Sequence, residues 1–126
     1  MKKGFTLIEL IMVIVVLGIL AAVAVPKYFD IQDQAKISAE KGVVGGVRAG
    51  ISTLYADNIV NGVTPAYPLL LDGVAAAGAC SGTTPCFVNV LGQGGIIDDW
   101  TKGTTLTYNG PTGTTYTYTP ATGDFK

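Results

Sequence analysis

The chain has 126 residues, enough for one small domain. Hydrophobic residues make up 48% but charged residues only 13%, about half the usual ~25%, and much of that apolar surplus lies in the first 26 residues. The net charge is −1 with no basic stripe, which gives no argument for nucleic-acid binding, and the absence of histidine removes the commonest general base and metal ligand.

Residues 1–4, Met-Lys-Lys-Gly, read as a short basic leader. Without them six basic and nine acidic side chains remain, a balance of −3. Residues 5–26 form an apolar segment in which every residue from Leu10 to Val25 is apolar or Gly, and Glu9 is the one charge. About 20 such residues span a bilayer as a helix. Lys2 and Lys3 ahead of the segment place the N-terminus in the cytoplasm. Pro26 removes a backbone donor and disfavours helix at Val25, so a kink or a locally unwound turn is expected there.

Residues 27–61 continue as an amphipathic helix. Val43, Val44, Val47, Ile51, Leu54 and Tyr55 share one face, and Lys41, Arg48 and Ser52 fall on another. Gly42, Gly45, Gly46 and Gly50 each cost helix stability by about 1 kcal/mol against Ala. They suggest close backbone packing, or a helix that can stretch. Asn61-Gly62 is a plausible stop.

Residues 62–126 are rich in Gly and Thr. Ala66 to Asp72 reads as extended loop and Gly73 to Gly78 as a small, flexible run. Phe87 to Leu91, Thr104 to Tyr108 and Thr115 to Thr119 read as strands. The last two flank Asn109-Gly110-Pro111-Thr112-Gly113, a turn cluster. The Thr-Tyr alternation suits an antiparallel hairpin with one packed face. The expected fold is α+β, a long helix on a small antiparallel sheet.

The segment Lys2-Lys3-Gly4-Phe5-Thr6-Leu7-Ile8-Glu9 carries the chemistry. Gly4 leaves the following peptide bond uncrowded, at the cytoplasmic face of the membrane. Secretory signal peptides are cut after their apolar run, whereas a cut after Gly4 leaves the run on the mature protein. The rival is Ala22-Val23-Ala24, which has the form of an ordinary signal-peptidase site. Glu9 counts against that rival, because a carboxylate in an apolar membrane segment is costly and marks function. Cleavage after Gly4 would give Phe5 a free amine. That amine on one subunit and Glu9 on the next would neutralise each other and fix the register between helices.

The stretch from Gly4 to Lys36, GFTLIELIMVIVVLGILAAVAVPKYFDIQDQAK, resembles the N-terminus of type IV pilins and of type II secretion pseudopilins. The resemblance implies a prepilin peptidase that cuts after Gly4 and methylates Phe5. It implies a Glu9 that pairs with a neighbour's N-terminus, and helix-softening residues at Gly18 and Pro26. The stretch PKYFDIQDQAKISA also resembles pilins of the mannose-sensitive haemagglutinin type. The Gly/Thr-rich region, residues 62–126, matches no family motif. Many type IV pilins close a long disulfide loop near the C-terminus; here Cys80 and Cys86 are close and mid-domain, which departs from that pattern.

A cysteine pair in a small exported domain reads as one structural disulfide, stabilising by about 2–3 kcal/mol at most for so short a loop. The spacing is not that of a C-x-x-C redox pair. Major pseudopilins bind calcium in C-terminal loops, but Asp98 and Asp99 are a thin ligand set and read better as an exposed acidic turn. No nucleophile–base constellation can be assembled, so neither enzymatic activity nor a cofactor is expected. The expected function is that of a structural subunit: inserted in the bacterial inner membrane, cleaved, and polymerised with copies of itself into an extracellular helical filament by a pilus assembly machinery. The alternatives are a type II secretion pseudopilin in a periplasmic pseudopilus, and a secreted or tethered binding domain that uses the apolar segment only for export.

Overall fold

The computed structural model describes residues 3–73 and 77–126. Lys2 of the leader and residues 74–76, inside the expected flexible run, lie outside the described residues. Two compact units divide between Ala35 and Lys36.

One helix, α1 (Leu7–Val60), dominates the chain. It runs through Pro26 as one helix, without the locally unwound turn expected at that position. A single proline deletes only its own bond to the carbonyl four residues back, and the neighbouring bonds hold the turn. The helix ends where Asn61-Gly62 suggests. Gly62 takes φ +68°, its N–H donates to the Ile59 carbonyl (3.2 Å), and the Val63 N–H donates to the Asn58 carbonyl (2.8 Å). Those paired bonds around a left-handed glycine satisfy carbonyls that the last turn leaves open.

Within Lys36–Lys126, the helix buries Glu40, Val44, Val47 and Ile51, spaced to keep one face inward. Two of the four glycines serve close approach. A Cβ on Gly50 would collide with the Val90 carbonyl, and one on Gly46 would press on Leu91 at 3.3 Å. Gly42 and Gly45 face open space.

The sheet is an antiparallel meander in chain order: β1 (Gly78–Ala79), β2 (Thr101–Thr104), β3 (Thr107–Asn109), β4 (Thr115–Thr119) and β5 (Asp124–Phe125). The Thr-Tyr hairpin forms between β3 and β4, pairing Thr107 with Thr117 and Asn109 with Thr115. Its tyrosines Tyr108 and Tyr118 are buried while the β4 threonines are exposed.

Two expected strands differ. The segment 104–108 is not one strand: Thr104 ends β2, residues 105–106 turn, and Thr107 and Tyr108 begin β3. The Thr104 and Thr107 hydroxyls bond at 2.8 Å, and the Leu106 N–H donates to Thr104 Oγ1 (3.4 Å). Threonine side chains offer the backbone such an alternative to the ladder. Phe87–Leu91 is a turn as well. Phe87 takes φ +59°, and its carbonyl accepts from the N–H groups of Val90 and Leu91. A bulky residue in the left-handed region is costly. Here it sets the ring fully inside the core, edge-on to Trp100 (5.3 Å) and Phe125 (5.6 Å) and tilted over Tyr108 (4.3 Å).

Buried carboxylates tie this unit together. Glu40 on α1 accepts from the Thr112 N–H (2.8 Å) and the Tyr116 hydroxyl (2.7 Å), joining the helix to the β3–β4 turn and to β4. Burial alone would raise its pKa; these donors outweigh that and leave it below the ordinary carboxylate value. Asp72 is paired with Lys102 and accepts from the Tyr108 hydroxyl (2.8 Å), joining the loop after α1 to β2 and β3. Burial and the Asp72 carboxylate both push the Tyr108 phenol upward.

This packing gives two helix glycines opposite signs. Gly50→Ala should destabilise this unit by about 1–3 kcal/mol, because the Val90 backbone cannot yield. Gly42→Ala should instead stabilise the helix, by up to about 1 kcal/mol. Denaturant titration of the full chain in detergent, followed by tryptophan fluorescence, separates the two. Glu40→Gln should lose about 1.5–3 kcal/mol at neutral pH, the worth of hydrogen bonds to a charged acceptor. The folded pKa of Glu40 lies below its unfolded value, so this contribution is complete above an unfolded pKa of about 4.3 and disappears as pH falls through the folded value. Variant and parent should therefore converge in stability under acid.

Candidate functional site at the N-terminus of the helix

Thr6 sits just ahead of the first helical residue, and Glu9 is three residues on. The Thr6 N–H and hydroxyl both donate to Glu9 Oε2 (2.8 Å each), and the Glu9 N–H donates to Thr6 Oγ1 (3.3 Å). The pair is a capping box: each side chain satisfies a backbone donor of the other. It also places a negative charge in the first turn, where the helix dipole favours one. Glu9 Oε1 takes no hydrogen bond among the described residues, so one oxygen stays open to a partner from outside the chain.

Sequence reasoning took Glu9 only as a partner for a neighbour's amine and missed the cap. The signal was present in Thr6-x-x-Glu9 ahead of an apolar run.

From Phe5 to Val25, the residues other than this polar pair are apolar or Gly and exposed. Phe5 is 93% exposed, and a methyl group added to Gly4 would meet nothing within 4 Å. The helix contains an 18-residue window of mean hydropathy 3.0, none of it buried, and is long and apolar enough to cross a membrane. Gly18 also faces open space, and Pro26 lies inside the helix. The structure thus gathers Gly4, Phe5 and Glu9 at one end of α1 and strings Gly18 and Pro26 along it.

The remaining candidates lie in the other unit. Cys80 and Cys86 form a disulfide with Cα atoms 5.4 Å apart, both buried in the core. Asp98 and Asp99 are exposed, and the Asp99 N–H donates to Asp98 Oδ1 (2.9 Å). Among the described residues no three or more acidic, Cys or His side chains gather in a way that could hold a metal ion.

Comparison with known proteins bears on this helix first. Residues 1–25 match the family model of the prokaryotic N-terminal methylation motif. The chain is 32% identical over 126 residues to a type IV major fimbrial protein FimA of Dichelobacter nodosus, covering 98% of this chain and 67% of that one. It is 37% identical over 103 residues to fimbrial protein EcpC of Eikenella corrodens, covering 82% and 65%. It is 40% identical over 75 residues to type II secretion system core protein G of Pseudomonas aeruginosa, covering 60% and 49%. The chain belongs to the type IV pilin family, which includes the related pseudopilins. It spans about half to two thirds of the length of these curated relatives. No solved structure matches it.

The capping box makes a prediction of its own. Thr6→Val removes the hydroxyl from both of its bonds, and amide hydrogen exchange in the first turn of α1 should accelerate in detergent. Thr6→Ser keeps the hydroxyl and should restore the parent rate. Equal exchange in Thr6→Val and parent would show that the cap holds nothing.

Proposed function

We propose that this chain is the structural subunit of a type IV pilus-like filament, made as an inner-membrane precursor, cut between Gly4 and Phe5, methylated on Phe5 and polymerised through α1. One observation carries the reading: a membrane-length apolar helix that buries none of its apolar window within its own chain, ending in a carboxylate that is half satisfied.

The order of events follows from what that end of the helix can do. In the membrane a bare carboxylate would cost several kcal/mol. Thr6 meets part of that cost with two hydrogen bonds to Oε2. Cleavage by a prepilin peptidase frees the Phe5 amine. In the assembling fibre the amine of one subunit approaches Glu9 of its neighbour, and the attraction is strong because charge–charge energy rises as the effective dielectric constant falls. The pair sets axial register, while the apolar side chains of Leu10 to Val25 supply non-directional cohesion. The role is structural rather than catalytic.

A second reading, a pseudopilin working with the type II secretion machinery, rests on the similarity to core protein G. It shares all of this chemistry and differs in filament length and companions.

Mass spectrometry of purified protein tests the processing: the mature chain should begin at a methylated Phe5, and a chain beginning at Val25 would overturn the reading. For assembly, Glu9→Ala and Glu9→Gln should both be synthesised and cleaved, yet yield few filaments on shearing. Normal yields from both would mean that apolar packing alone drives polymerisation. In the fibre, where helices crowd side by side, the stretch between Gly18 and Pro26 should depart from regular helical hydrogen bonding. An unbroken helix there in a filament reconstruction would refute this.

A further inference from the structure

Lysine is almost never fully buried unless it is paired, yet Lys102 is only 5% exposed and its partner Asp72 only 1%. Strand β2 sets Lys102 between Gly78 of β1 and Tyr108 of β3, and its Nζ donates to Asp72 Oδ1. Asp72 Oδ2 accepts from the Tyr108 hydroxyl (2.8 Å), and Lys102 Nζ stands 5.6 Å from the centre of the Tyr108 ring. The loop that carries Asp72 is held just ahead of it. The Asn89 N–H donates to the Leu71 carbonyl (3.1 Å), and the Asn89 side-chain amide donates to the Leu70 carbonyl (3.2 Å). Against the pair lies a cavity of about 60 Å³, bounded also by Ala79, Thr84, Pro85 and Cys86. It is large enough to take a water molecule. Removing two opposite charges from water is costly, and their attraction repays the cost only where the geometry is excellent. A neutral product of the same two groups carries no such cost.

We propose that Lys102 and Asp72 condense into an intramolecular amide, a covalent cross-link between the loop after α1 and β2. One proton passes from Lys102 Nζ to Asp72 Oδ1, which sets a neutral amine against a carboxylic acid. The Nζ lone pair attacks Asp72 Cγ. The Tyr108 hydroxyl already donates to Oδ2, where negative charge develops during the attack, and a donor placed there stabilises it. The Nζ–Cγ bond forms and the Cγ–Oδ1 bond breaks. Oδ1 departs into the cavity as one water, carrying two of the three ammonium protons, and the third stays on the amide nitrogen. The charges cancel, and no oxidant, reductant or outside reactant is consumed. In bulk water the two groups stay ionised and do not condense. Here burial disfavours the ions, and the fold holds the pair together, where well-oriented groups reach effective molarities of about 10⁵–10⁸ M. The inference stands apart from the filament reading. The bond would enclose the Cys80–Cys86 disulfide in a larger ring that reductant cannot open.

Mass spectrometry of the full chain, purified in detergent and then reduced and denatured, provides the test. The chain should weigh one water less than its sequence and its N-terminal processing account for. Trypsin locates the loss. No lysine or arginine lies between Arg48 and Lys102, or between Lys102 and Lys126. An unlinked chain therefore yields a peptide that ends at Lys102. The amide removes the charge that trypsin reads, so residues 49–126 should come off as one peptide lacking one water. Lys102→Arg cannot form the bond, and should show the full mass and be cut at that position. Tyr108→Phe should carry the cross-link in a several-fold smaller fraction of freshly made protein, and a fraction equal to the parent's would overturn the role given to its hydroxyl. Full mass in the parent, with cleavage after Lys102, would overturn the proposal and leave an ion pair. A water loss that persists in Lys102→Arg would overturn it as well, because the loss would then come from ring closure at Asp72-Gly73.

Discussion

An apolar helix whose side chains find no cover within their own chain cannot remain in water, and much of this molecule is organised by that constraint. Fully burying a single Leu, Ile or Val is worth about 1.5–3 kcal/mol. The exposed run on α1 contains more than a dozen such residues. A bilayer can cover them, and so can other helices of the same kind. The backbone raises no obstacle to either, because a helix satisfies its own hydrogen bonds. Transfer from lipid to a helical bundle then exchanges one apolar cover for another, so the hydrophobic term changes little between the two states. Specific features must decide the direction, and on the filament reading proposed above the carboxylate at the helix start is the strongest of these.

On the proposed filament reading Glu9 suits both settings. Its Oε2 is engaged by Thr6, which lowers the cost of a charge in an apolar segment, and its Oε1 is left open. A residue with no internal partner would be too costly in the membrane. A residue with all its lone pairs satisfied would have nothing to offer a neighbour. The capping box lies between those extremes and also fixes where the carboxylate stands on the first turn.

The second unit is built on other physics. It lacks the length for a large core and compensates with aromatic rings around Phe87, one disulfide, and two buried carboxylates. Glu40 joins helix to hairpin; Asp72 joins loop to strands. Single removal of either partner from such a contact leaves a buried polar group unmet, so these ties are more sensitive to substitution than the aliphatic contacts beside them.

Features that depend on local order along the chain were legible before any folding was known. The apolar run, its length and its lone acid are one-dimensional facts, and so are the amphipathic spacing of Val44, Val47 and Ile51 and the stop at Asn61-Gly62. The β3–β4 hairpin was legible because alternation and a turn cluster are local signals, and the disulfide because only two cysteines are present. Long-range packing prevailed where local preference lost. Phe87–Leu91 has the composition of a strand, but the core takes the Phe87 ring, and the backbone turns to deliver it. Thr104–Tyr108 has the composition of a strand too, but its threonine hydroxyls close a turn that creates an additional hairpin. The two-residue strands β1 and β5 carry no pattern of their own and exist only as partners of β2 and β4. Glu40 has no local pattern that sets it apart, and it is a buried tie because Thr112 and Tyr116, more than 70 residues away in sequence, supply its donors. Spacing within a segment is written in the sequence, whereas burial depends on which distant segment arrives opposite, and that is settled only when the chain has folded.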